Sequence, residues 1–214
     1  MTAFRVRAAV PRDIPDLMRL KRLLAEGEGS GHAVRATEAD WLRDGFDPSG
    51  GFSAYVAEIT ERGGETIIGM ATCSERVVTG WNGPVLYLQD LYVEARYRKH
   101  GIARALMTRV AALARDIGSP IVELTVRADN PSAQMFYLRA GFMPLPHCLT
   151  FVLGGSALGA LAAQDRETPA PPVNPAAVAR SSARRQRPFQ SGSGPTRSST
   201  DETSADNRPK AAWR

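Results

Sequence analysis

A short basic turn, Arg98-Lys99-His100-Gly101, stands between an apolar stretch and a segment with helical periodicity. Gly101 and Ala103 are small, so a ligand could approach the backbone closely at the first turn of the helix. The first amides of a helix have no partner within it, and the helix dipole is positive at this end. The turn is therefore predicted to bind a phosphate or pyrophosphate, with added charge from Arg98 and Lys99. The alternative is a Gly/Ala turn that only packs the helix against the strand.

The elements on either side of this turn have clear patterns. Residues 86–93 form an apolar and aromatic run with no breaker, which is typical of a buried strand. After the turn, apolar residues recur on one helical face as far as a stop at Gly118, namely Ile102, Leu106, Val110, Leu113 and Ile117. The turn matches neither the dinucleotide glycine fingerprint nor the P-loop. Its spacing, Arg98-x-x-Gly101-x-Ala103, instead resembles the pyrophosphate-binding signature of the GNAT superfamily of acyl-CoA N-acyltransferases.

A second motif follows at the distance expected for this superfamily. It resembles the later GNAT motif at Asn130, Ala133, Phe136, Tyr137, Gly141 and Phe142. We therefore identify the chain as a member of the GNAT superfamily, with a match that extends over roughly residues 4–153. The resemblance implies an α/β fold, with a central mixed twisted sheet of about six to seven strands flanked by about four helices.

The hydrophobic patterns predict the element order β-α-α-β-β-β-α-β-α-β. Strands are predicted at residues 4–8, 52–60, 66–79, 86–93, 121–127 and 147–153. Helices are predicted from Asp13, after a cap at Thr37, from the basic turn to Gly118, and from Asn130 to Gly141. Asp44-Gly45 is expected to end the second helix, and Gly63-Gly64 to join a hairpin. This order favours antiparallel strands first and a parallel crossover later.

Three stretches resemble the diamine branch of the superfamily, which includes spermidine/spermine and thialysine acetyltransferases. They are residues 37–46, 81–83 and 86–93. Glu28 falls where that branch has a substrate-contacting glutamate, and Asp90 also matches. Gln89 stands where the branch has a glutamate credited with holding the water that deprotonates the amine.

Two other regions depart from the polyamine enzymes. The acidic residues that those enzymes carry before the last strand are replaced by Leu145-Pro146-His147. The loop at residues 26–30 lacks their aromatic residues. The identity of the acceptor amine therefore stays open.

The resemblance implies acetyl-CoA as the acyl donor and no metal. Contacts to the cofactor are expected at Leu91, Tyr92, Val93, Arg98, Lys99, His100, Gly101, Ile102, Ala103, Arg104, Asn130, Ser132 and Tyr137. The main chain at residues 91–93 would meet the pantetheine arm and thioester carbonyl, although an ordinary core strand is the alternative. Tyr137 is the candidate general acid, because a phenol of pKa about 10 can give a proton to the departing thiolate. Asn130 is predicted to cap its helix and to contact the cofactor or the strand backbone.

Glu28, Gln89 and Asp90 are the predicted acceptor-site residues, with Asp90 also a catalytic candidate. Amines of pKa about 10 arrive protonated, so carboxylates that attract them are needed. Gln89 cannot take a proton. Because neighbours on a strand face opposite sides, Asp90 replaces residue 89 as a base only through a bulge or a water chain. The alternative for Glu28 is a solvated charge in a glycine loop.

Charge and composition divide the chain. Of the net charge of +5, residues 165–214 hold +4, from nine basic and five acidic residues. Residues 1–153 are predicted to form the GNAT domain, 154–164 a possible short helical extension, and 165–214 a disordered basic tail rich in Pro, Ser and Arg. The tail's basic cluster has little aromatic interleaving, so nucleic-acid binding is not expected.

Other residue patterns narrow the setting. His32, His100 and His147 have no metal-ligand spacing, and Cys73 and Cys148 form neither a metal pair nor a disulfide framework. No apolar run is long enough for a bilayer and the N-terminus lacks a secretory core, so a cytoplasmic protein without membrane contact is expected.

The sequence thus predicts an acetyl-CoA-dependent N-acetyltransferase that acts on a primary amine of a small molecule, such as a diamine, polyamine or lysine-like compound. Direct attack in a ternary complex is expected, and a homodimer by analogy with related enzymes. Acetylation of a protein or antibiotic amine is one alternative. The other is a CoA-binding regulatory or adaptor protein with a partner-binding tail, which Gln89 favours.

Overall fold

The computed structural model describes residues 3–31, 34–61, 64–79, 83–145, 153 and 155–162. Within these ranges a five-stranded sheet has the order β1-β2-β3-β4-β5. Its strands are β1 (Phe4–Ala8), β2 (Ser53–Glu61), β3 (Gly64–Val77), β4 (Pro84–Val93) and β5 (Val122–Leu124). Strands β1 to β4 are antiparallel and β5 is parallel to β4, so the predicted mixed sheet is confirmed. The strand predicted at 147–153 lies outside the described residues except for Leu153, and so do Trp81, Asn82 and the tail at 165–214.

Five helices accompany the sheet in the described part of the chain. They are α1 (Ile14–Gly27), α2 (Glu38–Trp41), α3 (Ile102–Asp116), α4 (Pro131–Arg139) and α5 (Gly155–Ala162). The cap predicted at Thr37 is confirmed, because its hydroxyl accepts from the Asp40 amide at 3.2 Å. The helix predicted to end at Asp44-Gly45 ends one residue later, because a wider π-helical turn continues from Leu42 to Phe46. Gly45 serves packing instead, because a Cβ there would meet the Phe52 ring at 2.5 Å.

The sheet is covered by α1 on one face and α3 on the other. Residues of β3 pack on both sides. Ile67 and Met70 belong to the apolar cluster that contains α1 residues, and Ile68 and Ala71 belong to the cluster that contains α3 residues. The apolar faces predicted for the two helices supply their sides of these clusters, including the fully buried Leu17, Leu20, Leu106 and Val110. Each such side chain contributes about 1.5–3 kcal/mol by leaving water.

Strand β4 changes phase at Gln89. Thr72 of β3 pairs with Asp90, and the next residue, Cys73, pairs with Leu88, so Gln89 is an extra residue in the ladder. Such a bulge inverts the alternation of side chains between the two faces. A regular strand would place Asp90 on the α3 face with Leu88; the bulge places it on the α1 face instead.

Candidate active site

The predicted phosphate turn has an unusual backbone. Two of its residues have positive φ angles, Lys99 at 66° and Gly101 at 84°, and Lys99 is the one non-glycine residue with positive φ in the described ranges. The first backbone hydrogen bond of α3 runs from the Ala105 amide to the Gly101 carbonyl, at 3.0 Å. The amides of residues 102–104 precede that bond and have no acceptor within the helix. They point out of the helix end, where they could donate hydrogen bonds to an anion.

Two of the predicted cofactor residues hold the turn itself together. The Arg98 Nε donates to the Val93 carbonyl at 2.9 Å, and its guanidinium lies 5.6 Å from the centre of the Tyr92 ring. The His100 Nδ1 lies 2.8 Å from the Arg98 carbonyl and 3.2 Å from the Tyr97 carbonyl. Because a carbonyl only accepts, this nitrogen carries the proton. Lys99 and Arg104 are exposed and form no salt bridge with the described residues, so they are the cations left for a phosphate.

One edge of β4 opens beside this turn. Strand β5 pairs with Leu86–Leu88, and in the part of the chain that the structure describes, Asp90–Val93 pair with β3 alone. The prediction that β5 spans 121–127 is therefore wrong at its C-terminal end. The reason is the bulge at Gln89, which increases the local twist and bends β4 away from its parallel neighbour. The half-buried Leu91 and Tyr92 and the buried Val93 lie on this open segment.

Helix α4 presents the candidate acid. The Asn130 Oδ1 accepts from the Ala133 amide at 3.0 Å, so its predicted role as a cap is confirmed, and Ser132 is exposed on the first turn. The ring of Tyr137 contacts Phe136 and Phe142 edge-on, with centroid distances of 5.3 and 5.5 Å. Burial, together with the negative charges of Glu28 and Asp90, raises the pKa of Tyr137 to about 12. The phenol is therefore protonated at neutral pH. It also lies close enough to both predicted acceptor-site carboxylates for their charges to affect its pKa.

An open pocket of about 470 Å³ lies beside the bulge. It is lined by Lys21, Ala25, Glu28, Ser30, Val34, Arg35, Ala36, Asp40, Trp41, Asp44, Phe52 and Gln89. Glu28 and Gln89, two of the three predicted acceptor-site residues, thus share one pocket. Asp90 is 9% exposed and does not line this pocket, although it contacts a residue that does.

That residue is Lys21, which sequence reasoning missed. Its Nζ lies 2.5 Å from the Asp90 Oδ1, while the Thr72 hydroxyl donates to the Asp90 Oδ2 at 2.7 Å. Both carboxylate oxygens are therefore occupied. A signal was present in the sequence, because Lys21 lies four residues after Leu17 and three before Leu24. This spacing places a cation on the apolar face of α1.

Some of the other charged residues of the pocket form salt bridges and some do not. Arg43 pairs with Asp40 at 2.9 Å and with Asp44 at 2.7 Å, so two of the lining acids already share a cation. Glu28 and Arg35 form no salt bridge with the described residues. The pocket therefore combines one carboxylate and one guanidinium that are not held in salt bridges with the described residues, although the Glu28 charge contributes to the raised pKa of Arg127.

The described residues also bear on metal binding, on membrane spans and on the cysteines. Within the described ranges, no group of three or more His, Cys, Asp or Glu residues could hold a metal ion. None of the helices described there is long and apolar enough to cross a membrane. Cys73 is buried, and burial raises the pKa of its thiol to about 12, as suits a packing residue. His32, His147 and Cys148 lie outside the described residues.

The chain is similar to known proteins in sequence and in architecture. Residues 17–142 match the sequence profile of the Acetyltransferase (GNAT) family. A thialysine N-epsilon-acetyltransferase of Mus musculus is 32% identical over 169 residues, covering 76% of this chain and 99% of that protein. The spermidine/spermine N(1)-acetyltransferase-like protein 1 of Homo sapiens is 30% identical over 148 residues, covering 68% of this chain and 21% of that protein. An integron cassette protein from the mobile metagenome of V. cholerae has the same fold, with a TM-score of 0.60 and 21% identity over 76% of this chain and 99% of its own.

Proposed function

Because this chain belongs to the acetyltransferase (GNAT) family, whose members use acetyl-CoA, we propose that it acetylates a primary amine of a small molecule, such as a diamine, polyamine or lysine-like compound. The observation that carries this proposal is the open edge of β4 from Gln89 to Val93. The phosphate turn follows one end of that edge, and the pocket lies at the other. The mouse relative is named for acetylation of thialysine and the human relative for its likeness to spermidine/spermine N(1)-acetyltransferase, and both names support an amine acceptor.

The cofactor role of the turn follows from its free donors. The amides of residues 102–104 would bind the pyrophosphate, with side-chain charge from Lys99 and Arg104. Arg98 and His100 would act through the turn, whose shape they maintain. Main-chain donors at the open edge of β4 would polarise the thioester carbonyl, and one such donor is worth about 2.7–4 kcal/mol in acyl transfer.

The acceptor side needs a carboxylate that can attract an ammonium and accept its proton. Glu28 suits this role, since it lines the pocket and forms no salt bridge with the described residues. Asp90 already binds Lys21 and Thr72 with both oxygens, which favours a positioning and electrostatic role. Gln89 lines the same pocket and would orient the amine or a water by hydrogen bonding.

The proposed reaction is a direct transfer. The ammonium of the acceptor loses a proton through water to Glu28, and the neutral nitrogen attacks the thioester carbon. The C–N bond forms, the C–S bond breaks, and the departing sulfur takes a proton from the Tyr137 hydroxyl. The nitrogen loses its second proton as the amide forms, and this proton restores the Tyr137 hydroxyl through water. The Tyr137 hydroxyl carries its proton at neutral pH and is therefore available as the donor in the final step.

The test is a thiol-release assay of the purified full chain with acetyl-CoA and a panel of small amines and lysine-containing peptides. Acetyl transfer to small amines, together with calorimetric binding of CoA, is expected. Transfer to peptides alone would instead favour the protein-acetylating alternative. Absence of heat with CoA from the folded protein would contradict the assignment of the turn.

A further inference from the structure

Lys21 places a positive charge in the wall of the pocket. Its side chain is 33% exposed and lines the pocket, and its ammonium is bound to Asp90. Lys21 lies four residues after Leu17 and three before Leu24, so it belongs to the face of α1 that packs on the sheet. The site therefore contains an amine of its own, already seated on a buried carboxylate.

This arrangement changes what the pocket can offer an acceptor. Asp90 is only 9% exposed, and the Lys21 ammonium already balances its charge, so it offers little attraction to a second ammonium. Asp40 and Asp44 share Arg43. Glu28 alone among the four acids in and beside the pocket has no salt-bridge partner in the described chain, while Arg35 adds a further cation to the lining.

We infer that Lys21 determines acceptor specificity: by placing an internal ammonium on Asp90, it makes the pocket select amines that carry a single positive charge. The remainder of such an acceptor is neutral or anionic, and an anionic remainder is favoured by Arg35. A second ammonium would lie near Lys21 without a free carboxylate, and like charges in a partly buried site repel strongly. This inference deepens the proposed function and rests on it.

Three five-carbon amines test the inference, since they differ only at the far end: 5-aminopentanoate is anionic there, pentylamine neutral, and cadaverine cationic. With the full-length protein, kcat/KM is expected to fall in that order, by about tenfold from pentylamine to cadaverine. In Lys21→Met the carboxylate of Asp90 becomes available, so the cadaverine-to-pentylamine ratio rises by about tenfold or more. Lys21→Gln removes the charge but keeps a hydrogen-bond donor, and the same rise in the ratio is expected. This variant replaces Lys21→Met if Lys21→Met does not fold.

Two controls separate charge from general damage. Lys21→Arg keeps the charge and the order of the three amines, and Arg22→Met, at an exposed neighbour outside the pocket, keeps the wild-type ratios. A wild-type preference for cadaverine over pentylamine, or an unchanged ratio in the folded uncharged variants, would overturn the inference. Dissociation constants of the three amines for the CoA-saturated protein, measured by NMR titration, give the same order independently of turnover. They decide the inference even if acetyl transfer, and with it the proposed function, fails.

Discussion

Gly101 and Gly118 lie at opposite ends of α3 in nearly the same backbone conformation, with φ angles of +84° and +71°. A Cβ added at either position would meet nothing within 4 Å. Glycine is therefore favoured at both positions by the positive φ angle, whereas the surroundings would leave room for a side chain. Only Gly101 adjoins the amides that are proposed to bind the pyrophosphate, so the pair allows strain and ligand binding to be separated.

Gly101→Ala is expected to raise the Kd for CoA about tenfold, because the left-handed conformation costs an alanine about 1–2 kcal/mol and the turn relaxes away from it. Gly118→Ala should lose a similar free energy of unfolding but bind CoA as the wild type does. Calorimetry and urea unfolding of both variants measure the two quantities. Equal CoA affinities for the two variants would contradict the proposed cofactor turn.

Tyr137→Phe is expected to lower kcat about 100-fold, since the departing sulfur loses its proton donor. CoA affinity should change less than about twofold, because the ring keeps its contacts with Phe136 and Phe142. Tyr87→Phe is the control: its hydroxyl bonds to the Thr125 hydroxyl at 3.0 Å, outside the site. Steady-state kinetics and calorimetry check both variants, and an unchanged kcat in Tyr137→Phe would remove that residue from the mechanism.

Glu28→Gln should reduce kcat/KM for a small amine at least about tenfold at neutral pH, because the pocket loses a carboxylate that forms no salt bridge with the described residues. CoA binding is not expected to change. Glu26→Gln provides a matched control, since Glu26 is exposed on the last turn of α1, two residues before Glu28, and does not line the pocket. If both variants keep wild-type kcat/KM across the amine panel, the proton acceptor is another group.

Glu58 supports a pH prediction on stability. Burial alone would raise the pKa of this 3%-exposed residue, but hydrogen bonds from Arg5 and Arg7, both 2.7 Å long, outweigh burial and lower it. A carboxyl whose pKa is lower in the folded state stabilises the protein above its unfolded pKa of about 4.3, and this stability is lost as the pH falls through the folded pKa.

Glu58→Gln is therefore expected to lose about 3 kcal/mol of unfolding free energy at pH 7, since two arginines lose their buried partner. The deficit relative to wild type should shrink as the pH falls below about 4. Urea unfolding at several pH values measures it. Glu65→Gln, at an exposed residue 3.8 Å from Arg5, should stay within about 0.5 kcal/mol of wild type, and a constant deficit at all pH values would contradict the assigned sign.

Local patterns in the sequence determined the family, the mixed sheet and the individual elements. The family is confirmed by the match over residues 17–142, and strand β1, the Thr37 cap and the face of α3 lie where they were predicted. Such features depend on residues two to four positions apart, so their causes are visible along the chain. The glycine turn belongs to this class, because positive φ selects for glycine at residue 101 itself.

Only the tertiary structure decided the arrangement around Asp90. The bulge at Gln89 depends on how β4 aligns with β3, and that register arises from contacts between distant residues. The same bulge turns Asp90 toward Lys21, sixty-nine residues earlier in the chain, and releases β4 from β5. The sequence identified Asp90 as a candidate and predicted that it could act as a base only through a bulge or a water chain. The face of the sheet that Asp90 occupies depends on strand pairing, which no local spacing encodes.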